Sequence, residues 1–151
     1  MTAEMYHRTT VLEKTFKVSV ETVFAAWAEL DKRARWNAPS DEVQIRYTED
    51  NFSVGGKDVS LCLVGDHIVA EVIGLYHDIV PNRRIVYTEI IKSDEMVQGV
   101  SQVSVHFAPS GAGTEMTVTL QTCALSGAEV LEEVAEGWSA AMAKMAEMFA
   151  A

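Results

Sequence analysis

The sequence predicts an α+β fold in which an antiparallel sheet packs against one long C-terminal helix. Strand-like runs follow one another through short turns from Val43 to Thr122, which implies an antiparallel meander. Only Ser126 to Ala151 is long enough for a long helix, with Val130, Val134, Trp138, Ala141, Met142 and Met145 at helical spacing and Phe149 closing the stripe. A single apolar-faced helix after a series of strands buries its stripe by lying across the sheet. Such packing readily leaves a cavity, so the helix marks the expected site.

Each element has its own local signal. Thr9 to Val18 alternates, with Val11, Phe16 and Val18 apolar among Glu13, Lys14 and Lys17, and reads as a first strand. Ser19 can cap a short helix from Val20, whose apolar face is Val23, Phe24 and Trp27. A second short helix, Asp31 to Trp36, is expected to end at Pro39. Val43 to Thr48 is the next strand, and Gly55-Gly56 turns the chain into Lys57 to Val64. Gly65-Asp66 marks a hairpin into His67 to Ile79, and Pro81-Asn82 turns into Arg84 to Lys92. Met96 to Ala108, interrupted by Gly99, leads through Pro109 to Gly113 into Thr114 to Thr122. Ser126 with Glu129 fits a capping box for the last helix, and Glu129, Glu132 and Glu133 suit the positive end of its dipole.

The 151 residues are expected to form a single domain over 1–151, with 1–8 as a flexible N-terminal tail. A formal charge of −10 argues against general affinity for nucleic acid or an anionic membrane. The best basic cluster, Lys32, Arg33 and Arg35, reads as the exposed face of a short helix. Cys62 and Cys123 sit in apolar strand contexts without a CxxC pair, and are expected as buried free thiols. Met1 to Thr10 lacks an apolar signal core, and no run approaches transmembrane length, so the expected compartment is the cytoplasm, without membrane insertion.

The order of elements, with specific local motifs, resembles the helix-grip superfamily of START lipid-transfer domains and birch-pollen-allergen-like proteins (SRPBCC). The closer resemblance is to its branch similar to the C-terminal domain of activators of the heat-shock protein 90 ATPase. The residues that carry it are Phe16 to Trp27 with Trp36, then Phe52 to Gly56, then Gly74 to Thr88. Gly113 to Val118 and the helix dipeptide Gly137-Trp138 complete it, and the collinear set spans nearly the whole chain. The resemblance implies a curved antiparallel sheet wrapped around the long helix, with two short helices after the first strand. Asn37 stands where this branch often has a second Trp after Trp36, and Asn82-Arg83 follow Pro81 where it often has a second proline and a glutamate. The first departure alters a loop near the expected cavity mouth, so ligand preference does not carry over.

Chemistry is sparsely signalled. His7, His67, His77 and His106 share no metal-ligand or zincin spacing, so no metal or other cofactor is expected. His7 falls in the expected tail. His106 differs in parity from Val103, Val105 and Phe107. It points to solvent if those residues make the core face, the favoured reading, and lines a polar concave face with Ser104 and Gln102 otherwise. Glu71 and Glu89 lie inside apolar strand runs, and each is read first as exposed or paired. Were both to face the cavity, desolvation would raise their pKa values and suit them to acid/base work.

The leading expectation is therefore a binding module. A small hydrophobic or amphipathic ligand sits between the sheet and the C-terminal helix, lined by Trp27, Trp36, Tyr76, Tyr87, Val134, Trp138, Met142 and Met145. Tyr76, Tyr87 or His106 would fix its orientation. The resemblance implies a second reading, a co-chaperone-like domain that docks a chaperone. A third is a cyclase, dehydratase or hydrolase using Glu71, Glu89 or His106; without a catalytic motif it ranks below binding. A homodimer through an edge strand or helix face stays open.

Overall fold

Alternation organises the sheet. In the computed structural model, which describes residues 3–38 and 40–150, Val103, Val105 and Phe107 face inward beside Met116, Val118 and Leu120, and all six are at most 1% exposed. That is the period-2 signature of strands with one face buried. The strands are β1 (Tyr6–Phe16), β2 (Val43–Glu49), β3 (Lys57–Val64), β4 (His67–Val80), β5 (Arg84–Ser93), β6 (Met96–Ser110) and β7 (Gly113–Ala124). They form one seven-stranded antiparallel sheet in the order β1-β7-β6-β5-β4-β3-β2. Short helices α1 (Val20–Ala28) and α2 (Leu30–Trp36) follow β1, and α3 (Glu129–Ala150) ends the chain. This is the α+β helix-grip arrangement.

The Ser19 hydroxyl accepts the Thr22 N–H at 3.3 Å and caps α1. Helix α3 starts later than its capping-box signal: Ser126 donates its hydroxyl to Gln98 Oε1 instead, which ties the α3 approach to β6. Gly127 then turns with φ +134° before Glu129. The first strand also starts earlier than expected. Tyr6, His7 and Arg8 are in register with Ala124, Cys123 and Thr122, so the free edge of β7 captures residues read as tail. Arg8 is further held by Glu132 of α3 at 2.8 Å. Pro39, the expected end of α2, lies outside the described residues.

The exposed basic face expected on α2 is only partly present. Lys32 pairs with Glu29 at 3.0 Å at the surface and Arg35 is exposed, but Arg33 is 4% exposed. Its Nη1 donates to the Trp27 carbonyl at 2.7 Å, its guanidinium lies 5.0 Å from the Tyr47 ring centre, and Nη2 is paired with Asp50 and, at 3.7 Å, with Asp58. A buried guanidinium needs such partners. Arg33 is thus a bolt joining α2 to the β2–β3 side of the sheet.

Helix α3 lies over β1 and β7 and against α2. Val130, Val134, Trp138, Ala141, Met142 and Met145 are its buried stripe, and Phe149 meets Phe16 edge-on at 5.1 Å. Past the part of β3 to β5 that α2 and Phe52 cover, the concave face meets only the flank of the helix, and that asymmetry positions the site. Among the described residues no helix is long and apolar enough to cross a membrane.

Candidate functional site: a cavity between the sheet and the last helix

The inner half of the concave face is closed by aromatic side chains. Trp27 packs on Trp36 at 4.6 Å, stacks with Trp138 at 6.1 Å and meets Phe107 at 6.4 Å. Tyr76 contacts Phe52 at 4.9 Å and Tyr87 at 5.4 Å. These rings fill space as core. Trp27, Trp36, Tyr76, Tyr87, Met142 and Met145, expected as lining, are each at most 9% exposed and stand in this packed region rather than at the open cavity. Of the expected set, Val134 and Trp138 line it.

Farther along the same face lies a cavity of about 330 Å³, room for about ten waters at liquid density. Its floor is Ser60 and Cys62 of β3, Ala70 and Val72 of β4, and Glu89 and Ile91 of β5. Its roof is Val130, Val134, Gly137, Trp138 and Ala141 of α3. Asn37, Ile45, Val69, Ser93, Gln98 and Glu133 complete the rim, so the departure at Asn37 does fall at the cavity. Two of these side chains arrive through β-bulges. A register break at Cys62/Leu63 skips Val69, and one at Ile91/Lys92 skips Gln98. A bulge frees one residue from the alternation and re-aims it.

Polar groups enter from the strands. On β3 the concave row is Asp58, Ser60 and Cys62. Asp58 accepts the Tyr76 hydroxyl at 2.6 Å and pairs with Arg33. It lies against Gly74, where a Cβ would come within 2.7 Å of Asp58 Oδ1, so a side chain at 74 would displace the carboxylate. Burial pushes the Asp58 carboxyl up, opposed by the Tyr76 hydrogen bond and Arg33, and burial likewise pushes the Tyr76 phenol up. Asp58 is thus a partnered structural acid.

Glu89 differs. Its Oε1 accepts the Trp138 indole N–H at 3.3 Å, and no cation pairs with it among the described residues. Burial raises its pKa to about 7, with the Trp138 hydrogen bond opposing and Asp58 adding to the rise. Cys62 is a free thiol on the same floor, pushed up by burial and then by Glu89, which keeps it a thiol rather than a nucleophilic thiolate. The floor can therefore offer one carboxyl group that gains or loses a proton near neutrality.

The other sequence candidates lie elsewhere. Glu71 is opposite Lys92 in the β4–β5 register, out of step with Ala70 and Val72, and does not line the cavity. Glu71 and Glu89 therefore face opposite sides of the sheet, and a two-carboxylate mechanism has no geometry here. His106 is exposed, opposite Arg84 on the outer face. His77 is exposed and shares a 2.9 Å hydrogen bond with Thr88. Among the described residues no cluster of His, Cys, Asp or Glu could hold a metal ion.

Known proteins share this architecture. A protein from Rhizobium loti superposes with TM-score 0.85 at 28% identity, covering 95% of this chain and 98% of its own. An uncharacterized protein from Rhizobium leguminosarum gives TM-score 0.88 at 28% identity, covering 97% and 96%. The AHSA1 protein from Silicibacter pomeroyi gives 0.78 at 20% identity over 95% and 98%, a likeness of fold. A comparison with curated proteins found no match. The family model for "Activator of Hsp90 ATPase homolog 1-like protein" matches residues 17–150, and the chain belongs to that family.

Proposed function

We propose that this protein binds a small amphipathic molecule in the cavity between the β3–β5 floor and α3. The observation that carries the reading is the cavity itself. About 330 Å³ of space is lined mainly by apolar side chains, with a few polar groups from separate strands, the usual make-up of a small-molecule site. Trp138 is a built-in reporter, because its indole both lines the cavity and hydrogen-bonds Glu89. Native mass spectrometry of protein purified from its own host, followed by extraction, tests the reading directly. The expected result is a bound small amphipathic molecule and a change in tryptophan fluorescence when it is removed. Empty protein, with tryptophan fluorescence unmoved by a broad lipid, sterol and polyketide panel, would overturn it.

The family description favours a second reading, a co-chaperone-like interaction with Hsp90. It predicts stimulation of a purified Hsp90 ATPase by this chain. No stimulation together with no detectable association removes it.

A further inference from the structure

The cavity is chemically lopsided. Its lining contains no Lys, Arg or His, and its charged side chains are Glu89 on the floor and Glu133 on the rim. The groups facing Glu89 do not compensate it: β3 presents Cys62 and Asp58, β5 presents Tyr87, and α3 presents Glu133 and the Trp138 N–H. Arg33 and Lys144, which do not line the cavity, are paired elsewhere, Arg33 with Asp50 and Asp58 and Lys144 with Asp41. Glu89 is left with one long hydrogen bond from a neutral donor, against the apolar surfaces of Val72, Ile91 and Val134. A carboxylate in such surroundings is costly until something supplies the missing positive charge.

We propose that the occupant carries a protonated nitrogen, an alkylamine or amidine head on a compact apolar body, with the nitrogen donating to Glu89 and the body against Val72, Ile91 and Val134. This rests on the reading that the cavity binds a ligand. It excludes fatty acids and other anionic amphipaths, which would place a second carboxylate beside Glu89 and Glu133. It also gives a pH signature. The empty site holds Glu89 half-protonated near pH 7, whereas an alkylamine keeps its proton to about pH 10, like a lysine side chain. Preference for the amine is thus greatest above neutrality and fades as Glu89 takes up its proton.

Three probes with one tail and different heads test this: octylamine, octan-1-ol and octanoate, titrated by calorimetry at pH 8 and pH 5. At pH 8 octylamine is expected to bind at least about tenfold more tightly than octan-1-ol, the value of one charge-assisted hydrogen bond, with octanoate weakest. Glu89→Gln is expected to bring amine and alcohol within about twofold of each other. The unmutated protein at pH 5 should show the same narrowing, which keeps the test decisive if the variant folds poorly. At pH 8, alcohol binding without amine preference, or octanoate as tight as octylamine, overturns the proposal and leaves the cavity reading standing. A preference that survives Glu89→Gln moves the nitrogen to Glu133 and also overturns it. No binding of any probe overturns the cavity reading as well.

Discussion

Gly137 sits in the middle of α3, where glycine costs about 1 kcal/mol relative to alanine because it gives up the most backbone freedom on folding. A helix packed tightly at this point would need the glycine for close approach. The structure offers no such reason: a Cβ built at 137 meets nothing within 4 Å, because the position opens onto the cavity. Gly137→Ala is therefore expected to stabilise the protein by about 0.5–1 kcal/mol, or about 1–4 °C in Tm for a chain of this size. A single methyl trims the cavity slightly. Gly137→Leu adds helix propensity too, but sends a branched side chain into the 330 Å³ space. Stability and binding should then move in opposite directions, with Tm at or above that of the parent and octan-1-ol binding reduced at least about tenfold, since the ligand's apolar contacts are replaced in advance. Thermal and urea melts followed by circular dichroism give the first quantity, and calorimetric titration the second. A Gly137→Ala variant less stable than the parent would mean that the glycine serves packing. A Gly137→Leu variant that binds normally would mean that ligands go elsewhere.

Two further predictions concern buried charge. Glu89 has its pKa raised from an ordinary 4.5 to about 7, so between those values the folded state holds the extra proton and stability falls as pH rises. The full shift corresponds to about 3 kcal/mol, reduced to about 2 because the carboxylate opens on the cavity. Urea melts should find Glu89→Gln equal to the parent near pH 4.5 and about 2 kcal/mol more stable at pH 8; a pH-independent difference would contradict the assigned burial. Arg33→Ala should cost about 3–5 kcal/mol, because Asp50 and Asp58 lose their cation while Asp58 stays largely buried. Chemical denaturation measures it, and a loss under 1 kcal/mol would show that Arg33 is no bolt.

The fold was legible because alternation and helical periodicity are repeated many times. Strand β3 falls on its expected bounds, and β4 and β5 differ from theirs by a residue at one end. What periodicity reports is burial, not what a residue is buried against. Trp27, Trp36, Met142 and Met145 carry the same apolar signal as Val134 and Trp138, but α3 leans on β1, β7 and α2, closing its far side while the near side stays open. The separation of Glu89 from Glu71 was within reach. Glu89 shares parity with Ile85 and Tyr87, and Glu71 falls out of step with Val72, Gly74 and Tyr76, so placing both tyrosines inward would have turned Glu89 inward and Glu71 outward. Val69 and Gln98 carry no such signal, because each bulge lies near the end of its strand pairing, where too few residues follow for the inverted alternation to show. Arg33 was misread because a basic residue on a short helix looks solvated until partners from β2 and β3 arrive.

Two local rules are broken at one place: a helix interior carries glycine, and an apolar floor carries an unpaired carboxylate. Sequence selected for packing alone would have alanine at 137 and an apolar residue at 89, and the pair of departures costs about 3 kcal/mol of a stability that is typically 5–15 kcal/mol. Because Gly137 adds no side chain toward Glu89, the two costs should be independent. The double variant Gly137→Ala, Glu89→Gln is therefore expected to gain about 3 kcal/mol at pH 8, equal to the sum of the single gains within about 0.5 kcal/mol. If the site is a binding site, that gain comes with weakened octylamine binding, so a more stable protein is a poorer receptor. If the double variant gained nothing, neither position would be strained, and the cavity would be a packing defect without a use.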